Sequence, residues 1–112
     1  MVRKSLHERI KQRELGKSGQ PEVDVPGGRV DGVVGTKAFQ VAVKPSPTEL
    51  LEDAKVLKTA PQKRKVVIVS RVKDVTIAAW AMKEVGLGGT ARTPRLPGKP
   101  PRRRVAVRKP KR

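Results

Sequence analysis

The sequence predicts an α/β fold in which a small mixed β-sheet of about four strands is flanked by about three helices. Two segments rich in β-branched residues, 29–34 and 38–44, lie on either side of the turn Gly35-Thr36-Lys37 and predict a β-hairpin. A capped helix follows, and then a short apolar segment at 66–69. A hairpin that leads through a helix into a buried strand predicts a mixed sheet with helices packed against it.

The residues before the hairpin predict one helix and one strand. Apolar residues at helical spacing, separated by charged ones, favour a helix over residues 5–15 that ends at Gly16. Residues 23–25 favour a short strand, and Pro26-Gly27-Gly28 is typical of a turn that leads into the hairpin.

The best-defined helix begins at Ser46-Pro47-Thr48-Glu49. Ser46 is a favourable N-cap, Pro47 suits the first helical position, and Glu49 completes a capping box. An apolar stripe follows these residues, and Pro61 lies beyond the end of the helix.

The remaining predicted elements are a buried strand and a last helix. Residues 66–69 are all apolar, as expected for a strand that is covered on both faces. Asp74 is a favourable N-cap for a helix that ends at Gly86. We expect Trp80 to pack at the margin of the apolar face of this helix.

Charge and composition limit the classes of function. The 112 residues include 27 Lys+Arg and 10 Asp+Glu, and the net charge of +17 favours a polyanionic partner. There is no apolar segment long enough to span a membrane, so nucleic acid is favoured over a membrane surface. The chain has no cysteine, and its charged N-terminus lacks the apolar region of a signal peptide. We therefore expect a cytoplasmic location.

The charge is concentrated at the C-terminus. After Ala91 there are ten basic residues and no acid, interleaved with five of the ten prolines. Proline disfavours both helix and sheet, and so few apolar residues do not offset the entropy of ordering. The composition thus predicts an α/β domain at 1–90 and an extended nucleic-acid-binding tail at 91–112, which is disordered without its partner.

The strand order, with Asp31 and Lys44 at strand ends, resembles the restriction-endonuclease-like fold of the PD-(D/E)XK family, which includes archaeal Holliday-junction resolvases. The resemblance covers roughly residues 5–85. In that family an acid on the first helix, an Asp on the second strand and an acid-x-lysine on the third hold a divalent metal. By this resemblance Glu8, Asp31 and Lys44 would be members of the site, but Ala42 stands where the family has an acidic ligand. We therefore expect no metal, no cofactor and no catalysis.

Clustered basic residues are the candidate phosphate contacts, because arginine and lysine neutralise backbone phosphates. The candidates are Arg3, Lys4, Arg9, Arg13, Lys17, Lys63, Arg64, Lys65, Arg92, Arg95, Lys99, Arg102, Arg103, Arg104, Arg108, Lys109, Lys111 and Arg112.

In overall build the chain is similar to small basic ribosomal proteins, in which a compact body carries a basic extension that threads between rRNA helices. We expect a structural RNA-binding protein that contacts rRNA and neighbouring ribosomal proteins, with no membrane and no small-molecule substrate. Shape and charge suffice for such recognition, and aromatic residues, at 2%, are too few for base stacking. Two alternatives stay open: a metal-dependent nuclease or Holliday-junction resolvase, active or inactivated, and a chromatin-type DNA-binding protein.

Overall fold

The computed structural model describes residues 5–95 and 98–108. These residues form three helices and six strands, in the order α1 (Leu6–Leu15), β1 (Gln20–Val25), β2 (Gly28–Val34), β3 (Lys37–Ala42), α2 (Pro47–Thr59), β4 (Arg64–Val69), α3 (Val72–Glu84), β5 (Gly89–Arg92) and β6 (Arg104–Val107). The predicted mixed α/β architecture with three helices is confirmed, whereas the predicted number of about four strands is wrong. No helix in the described part of the chain has the length and apolar character that crossing a bilayer requires.

All six strands belong to one sheet, and their spatial order follows the chain from β1 to β6. The pairs β1–β2, β2–β3 and β5–β6 are antiparallel, and the pairs β3–β4 and β4–β5 are parallel. The two parallel pairs are those joined through a helix, α2 and α3 respectively, as parallel connections require. Membership of the restriction-endonuclease-like fold stays a prediction.

Helices cover both faces of the sheet, and each face has its own core. Helices α2 and α3 pack on one face, here called the α2/α3 face, over the larger core. Helix α1 lies mainly over β2 and β3 on the opposite face, the α1 face. The smaller core there consists of Ile10, Leu15, Phe39, Val41, Val66 and Ile68. Gly32 leaves room for this core, because a Cβ atom at that position would lie 2.5 Å from the Phe39 ring.

The N-termini of α1 and α2 are capped by serine side chains. Ser5 Oγ accepts a hydrogen bond from the backbone N–H of Glu8 at 3.1 Å, and Ser46 Oγ accepts one from Glu49 at 3.2 Å. The predicted role of Ser46 is thus confirmed. Each cap satisfies a backbone donor that the helix itself leaves without a partner.

The start of α3 differs from the prediction. The helix begins at Val72 after Arg71, and Asp74 lies in its first turn rather than at the N-cap. The buried carboxylate of Asp74 accepts hydrogen bonds from the Arg71 guanidinium at 2.7 and 3.3 Å. A negatively charged side chain in the first turn also interacts favourably with the positive end of the helix dipole. Trp80 is 44% exposed and lies opposite the buried face of α3, not at its margin.

The segment predicted as a separate tail joins the sheet where the structure describes it. The expected boundary between residues 90 and 91 falls inside β5, and residues 104–107 form β6 beside it. Val105 and Val107 alternate with polar or small residues and pack against the larger core. The prediction of disorder without a partner rested on how few apolar residues the segment has, and it stays a prediction. In the structure the period-two spacing of those residues accompanies the pairing of 104–107 with β5. Pro94, Pro100 and Pro101 lie in the loop between the two strands.

Val105→Lys should therefore destabilise the whole fold, whereas the neighbouring Ala106→Lys should not. Val105 contacts the larger core, while Ala106 is exposed on the other face of β6. We expect Val105→Lys to lower the free energy of unfolding by roughly 1–2 kcal/mol and Ala106→Lys by less than about 0.5 kcal/mol. Urea denaturation followed by circular dichroism measures both. Equal, negligible effects would show that β6 does not belong to the cooperative unit.

Candidate nucleic-acid interface

The register of the sheet places four basic residues on the α1 face. Lys37 of β3 is paired with Arg64 of β4, and Arg92 of β5 is paired with Arg104 of β6. Alternation along each strand puts these residues on the same face as the smaller core, because directly paired residues point to the same side of a sheet. Together with Arg95 they line a cavity of about 120 Å³. Positive charge therefore converges on one point of the sheet surface.

Glu14 of α1 forms ion pairs with two of these cations. Its Oε2 atom forms an ion pair with Lys37 Nζ and lies 2.6 Å from Arg92 Nη2. Arg92 is only 3% exposed, so it would be an uncompensated buried charge without Glu14. Burial by itself raises the pKa of Glu14, but the hydrogen bonds from Arg92 and Lys37 outweigh it and bring the pKa below its ordinary value. The carboxylate thus connects α1 to β3 and β5.

The remaining cations of this region face solvent. A second cavity, of about 480 Å³, shares Arg95 and Arg104 with the first. A third, of about 520 Å³, shares Lys99 and Pro100 with the second. The residues that line the three cavities include no acid. Within the part of the chain that the structure describes, six of their cations form no ion pair. We call these six the basic face: Arg13, Arg64, Arg95, Lys99, Arg102 and Arg104.

The other predicted phosphate contacts are dispersed. Exposed positions outside the basic face are occupied by Arg9, Lys17, Lys63, Arg103 and Arg108. Arg3, Lys4, Lys109, Lys111 and Arg112 lie outside the described residues.

Two predicted contacts, Lys65 and Arg92, are buried and bind within the protein. Lys65 Nζ donates hydrogen bonds to the carbonyl oxygens of Leu57, at 2.9 Å, and Ala60, at the end of α2. Burial lowers the pKa of Lys65. A lysine held in this way caps the last carbonyls of a helix and is not available to a phosphate. We therefore omit Lys65 and Arg92 from the interface.

A second, acidic pocket lies beside the N-terminal half of α2. It has a volume of about 580 Å³, and its lining includes four of the ten acidic residues of the chain: Asp31, Glu49, Glu52 and Asp53. Burial, together with the negative charges of Asp31, Glu49 and Glu52, raises the pKa of Asp53 to about 7. The acids are thus gathered away from the three cavities of the basic region.

Asp31 and Gln40 hold β2 and β3 together where their backbone pairing ends. The last paired residues are Gly32 and Phe39. Beyond them, Asp31 Oδ2 accepts a hydrogen bond from the Val41 N–H at 2.6 Å. The Gln40 side chain accepts one from the Asp31 N–H at 2.8 Å and donates one to the Arg29 carbonyl at 3.3 Å. Both side chains therefore replace missing ladder bonds.

The residues of the degenerate nuclease motif do not line one site. Asp31 lines the acidic pocket, but Glu8 and Lys44 do not. Glu8 accepts a hydrogen bond from Lys11 at 3.2 Å, and Lys44 is exposed beyond the end of β3 with a φ of 50°. Across residues 5–95 and 98–108, no group of three or more histidine or acidic side chains is close enough to hold a metal ion.

Five residues of these sites were not predicted from the sequence: Glu14, Lys37, Glu49, Glu52 and Asp53. The parallel register that pairs Lys37 with Arg64 was foreseeable once β3 and β4 were taken as neighbours. Glu49, Glu52 and Asp53 in the first turns of α2 also form a visible acidic run. No local signal identifies Glu14, because its partners come from strands distant in the sequence.

Comparison of the chain with protein-family models, curated proteins and solved structures finds no match. Function is therefore inferred below from the residues of this chain.

Glu14→Gln is expected to lower the free energy of unfolding at pH 7 by roughly 2–4 kcal/mol, because it leaves Arg92 buried without an anion. The pKa of Glu14 is lower in the folded chain than its unfolded value of about 4.3. The stabilising contribution is therefore present above about pH 4.3 and is lost as the pH falls through the lower folded value. Urea denaturation at several pH values measures both effects. Asp24→Asn, at a pair whose acid is 79% exposed, is the control and should cost less than about 1 kcal/mol.

Asp53→Asn should have the opposite effect. The folded pKa of about 7 exceeds the unfolded value of about 3.9, so ionisation opposes folding increasingly from about pH 4 to pH 7. We expect the variant to be more stable than the wild type at pH 8, on the order of 1–2 kcal/mol because the site is partly open to solvent, and unchanged at pH 3. A carboxyl titration by NMR that places Asp53 near pH 4 would contradict the assignment.

Proposed function

We propose that this protein is a structural RNA-binding protein whose basic face contacts backbone phosphates. The observation that carries the proposal is the cluster of six solvent-facing cations along adjoining cavities that no acid lines. Phosphate contacts of this kind supply most of the affinity of sequence-independent nucleic-acid binding.

The basic face is held in place before any partner binds. Its loop is closed at the base, where the Thr93 N–H donates to the Arg103 carbonyl at 3.0 Å and the Arg103 N–H donates to Thr93 Oγ1 at 3.1 Å. Arg104 is fixed by its strand, and Arg64 starts β4. A positioned set of cations loses less entropy on binding than a flexible tail does.

Folded RNA suits this arrangement better than duplex DNA. Arg64, Arg95 and Arg104 all border a single cavity of about 120 Å³, an arrangement that favours a partner whose phosphates lie close together. Such density occurs where RNA helices approach one another. Ribosomal RNA is the partner that we propose, with neighbouring ribosomal proteins around it and a cytoplasmic location. No catalytic step is part of the proposal. The Asp31 carboxylate accepts a hydrogen bond from the backbone N–H of Val41, and the Glu8 carboxylate accepts one from Lys11.

Salt dependence provides the first test. If the six cations each contact one phosphate, the slope of log K against log salt is on the order of −4 to −5. In Arg95→Ala/Arg104→Ala two contacts are lost, so the slope should become shallower by about 2. At 0.1 M salt this corresponds to a loss of roughly 100-fold in affinity for a structured RNA, measured by filter binding or fluorescence anisotropy.

The matched control is Lys55→Ala/Lys83→Ala, which removes the same net charge from exposed positions on α2 and α3. Its salt slope should stay at the wild-type value. Equal losses in the two double variants would show that only net charge matters and would refute the assigned interface. Equal affinity for a duplex DNA of the same length would refute the choice of RNA.

A further inference from the structure

Helix α3 presents an outward-facing stripe that combines apolar and charged residues. Its members, called here the outer stripe, are Lys73, Ile77, Trp80 and Glu84, and all four are exposed. Their spacing of four, three and four residues places them in one line along a helix. Ile77 and Trp80 are 36% and 44% exposed, and Trp80 is the only tryptophan of the chain.

The outer stripe is complementary to itself. When two copies of α3 pack antiparallel about a two-fold axis between Ile77 and Trp80, each Ile77 meets the other Trp80. The same operation brings each Lys73 next to the other Glu84. A two-fold interface requires this kind of self-complementarity, since one surface must match its own inverted copy. In residues 5–95 and 98–108, neither Lys73 nor Glu84 has an ion-pair partner.

We propose that two copies of this chain associate through the outer stripes of α3, packed antiparallel. The proposal is independent of the proposed RNA binding. The six cations of the basic face lie on the side of the sheet that α1 covers, and α3 lies on the opposite side. Association through α3 therefore leaves the basic face of each copy free.

The contact is small, and the net charge opposes it. A helix of 13 residues is about 20 Å long, and its outer face is smaller than the interface of a stable dimer. Two chains of net charge +17 also repel each other. We therefore expect a dissociation constant on the order of 10–100 µM at about 0.3 M salt, where the Debye length of about 6 Å screens distant charges.

Sedimentation equilibrium of the full chain between about 5 and 500 µM tests the association. We expect the mean mass to rise from that of a monomer towards twice that value. The fluorescence maximum of Trp80 should move to shorter wavelength over the same range, because the ring leaves water. A monomer at every concentration would overturn the proposal.

A charge exchange identifies the face. Glu84→Lys alone places a lysine next to Lys73 of the other copy, and this repulsion should weaken association at least tenfold. Lys73→Glu alone places a glutamate next to Glu84 of the other copy and should have the same effect. Lys73→Glu/Glu84→Lys restores both pairs and keeps the net charge, so its affinity should return to within about threefold of the wild type.

Lys83→Glu/Lys55→Ala, outside the outer stripe, should not reproduce the loss seen in the single variants. All of these positions are exposed, and circular dichroism verifies folding. Failure of the double exchange to restore association would refute the antiparallel arrangement.

Discussion

The position of α1 on the sheet depends on one carboxylate. Glu14 contacts Lys37 of β3 and Arg92 of β5, so three elements that are distant in the sequence meet at a single anion. Without it, two cations of low exposure would face each other under α1, and a buried charge that loses its partner is strongly destabilising. The ion pairs also explain how a chain of net charge +17 packs a helix against a basic sheet surface. The two inward cations share one carboxylate, and the other cations of this surface remain in water.

The acidic residues are segregated as well as the basic ones. Four of the ten acids surround one pocket near the start of α2, where the helix dipole favours negative charge. Burial and, after it, the negative charges of the other three acids raise the pKa of Asp53 to about 7, so this group is partly protonated near neutral pH. None of these acids lines a cavity of the basic face, so they do not offset its positive charge at close range. The positive potential of that surface is consequently higher than an even distribution of the same residues would give.

The sequence predicted those features that arise from local interactions. Ser46 caps α2 because its hydroxyl oxygen accepts a hydrogen bond from a backbone N–H three residues away. Residues 66–69 form a buried strand because burial removes their apolar side chains from water. Features that depend on tertiary contacts were missed. Lys65 looked like part of a basic cluster, yet strand alternation directs it to the opposite face from Arg64, where helix carbonyls accept hydrogen bonds from its ammonium group. Glu14 gave no signal, because both partners come from other elements.

The β5–β6 hairpin shows what composition alone leaves out of the description of the C-terminal segment. By composition alone an arginine-rich, proline-rich segment has no reason to fold, but alternation concentrates its few apolar side chains on one face. Val105 and Val107 pack under α3, and the same alternation directs Arg104 to the α1 face beside Arg64. Burial of the valines therefore also orients the cation. The backbone of this strand is therefore ordered by folding itself, and burial of the valines offsets the entropy cost of ordering it.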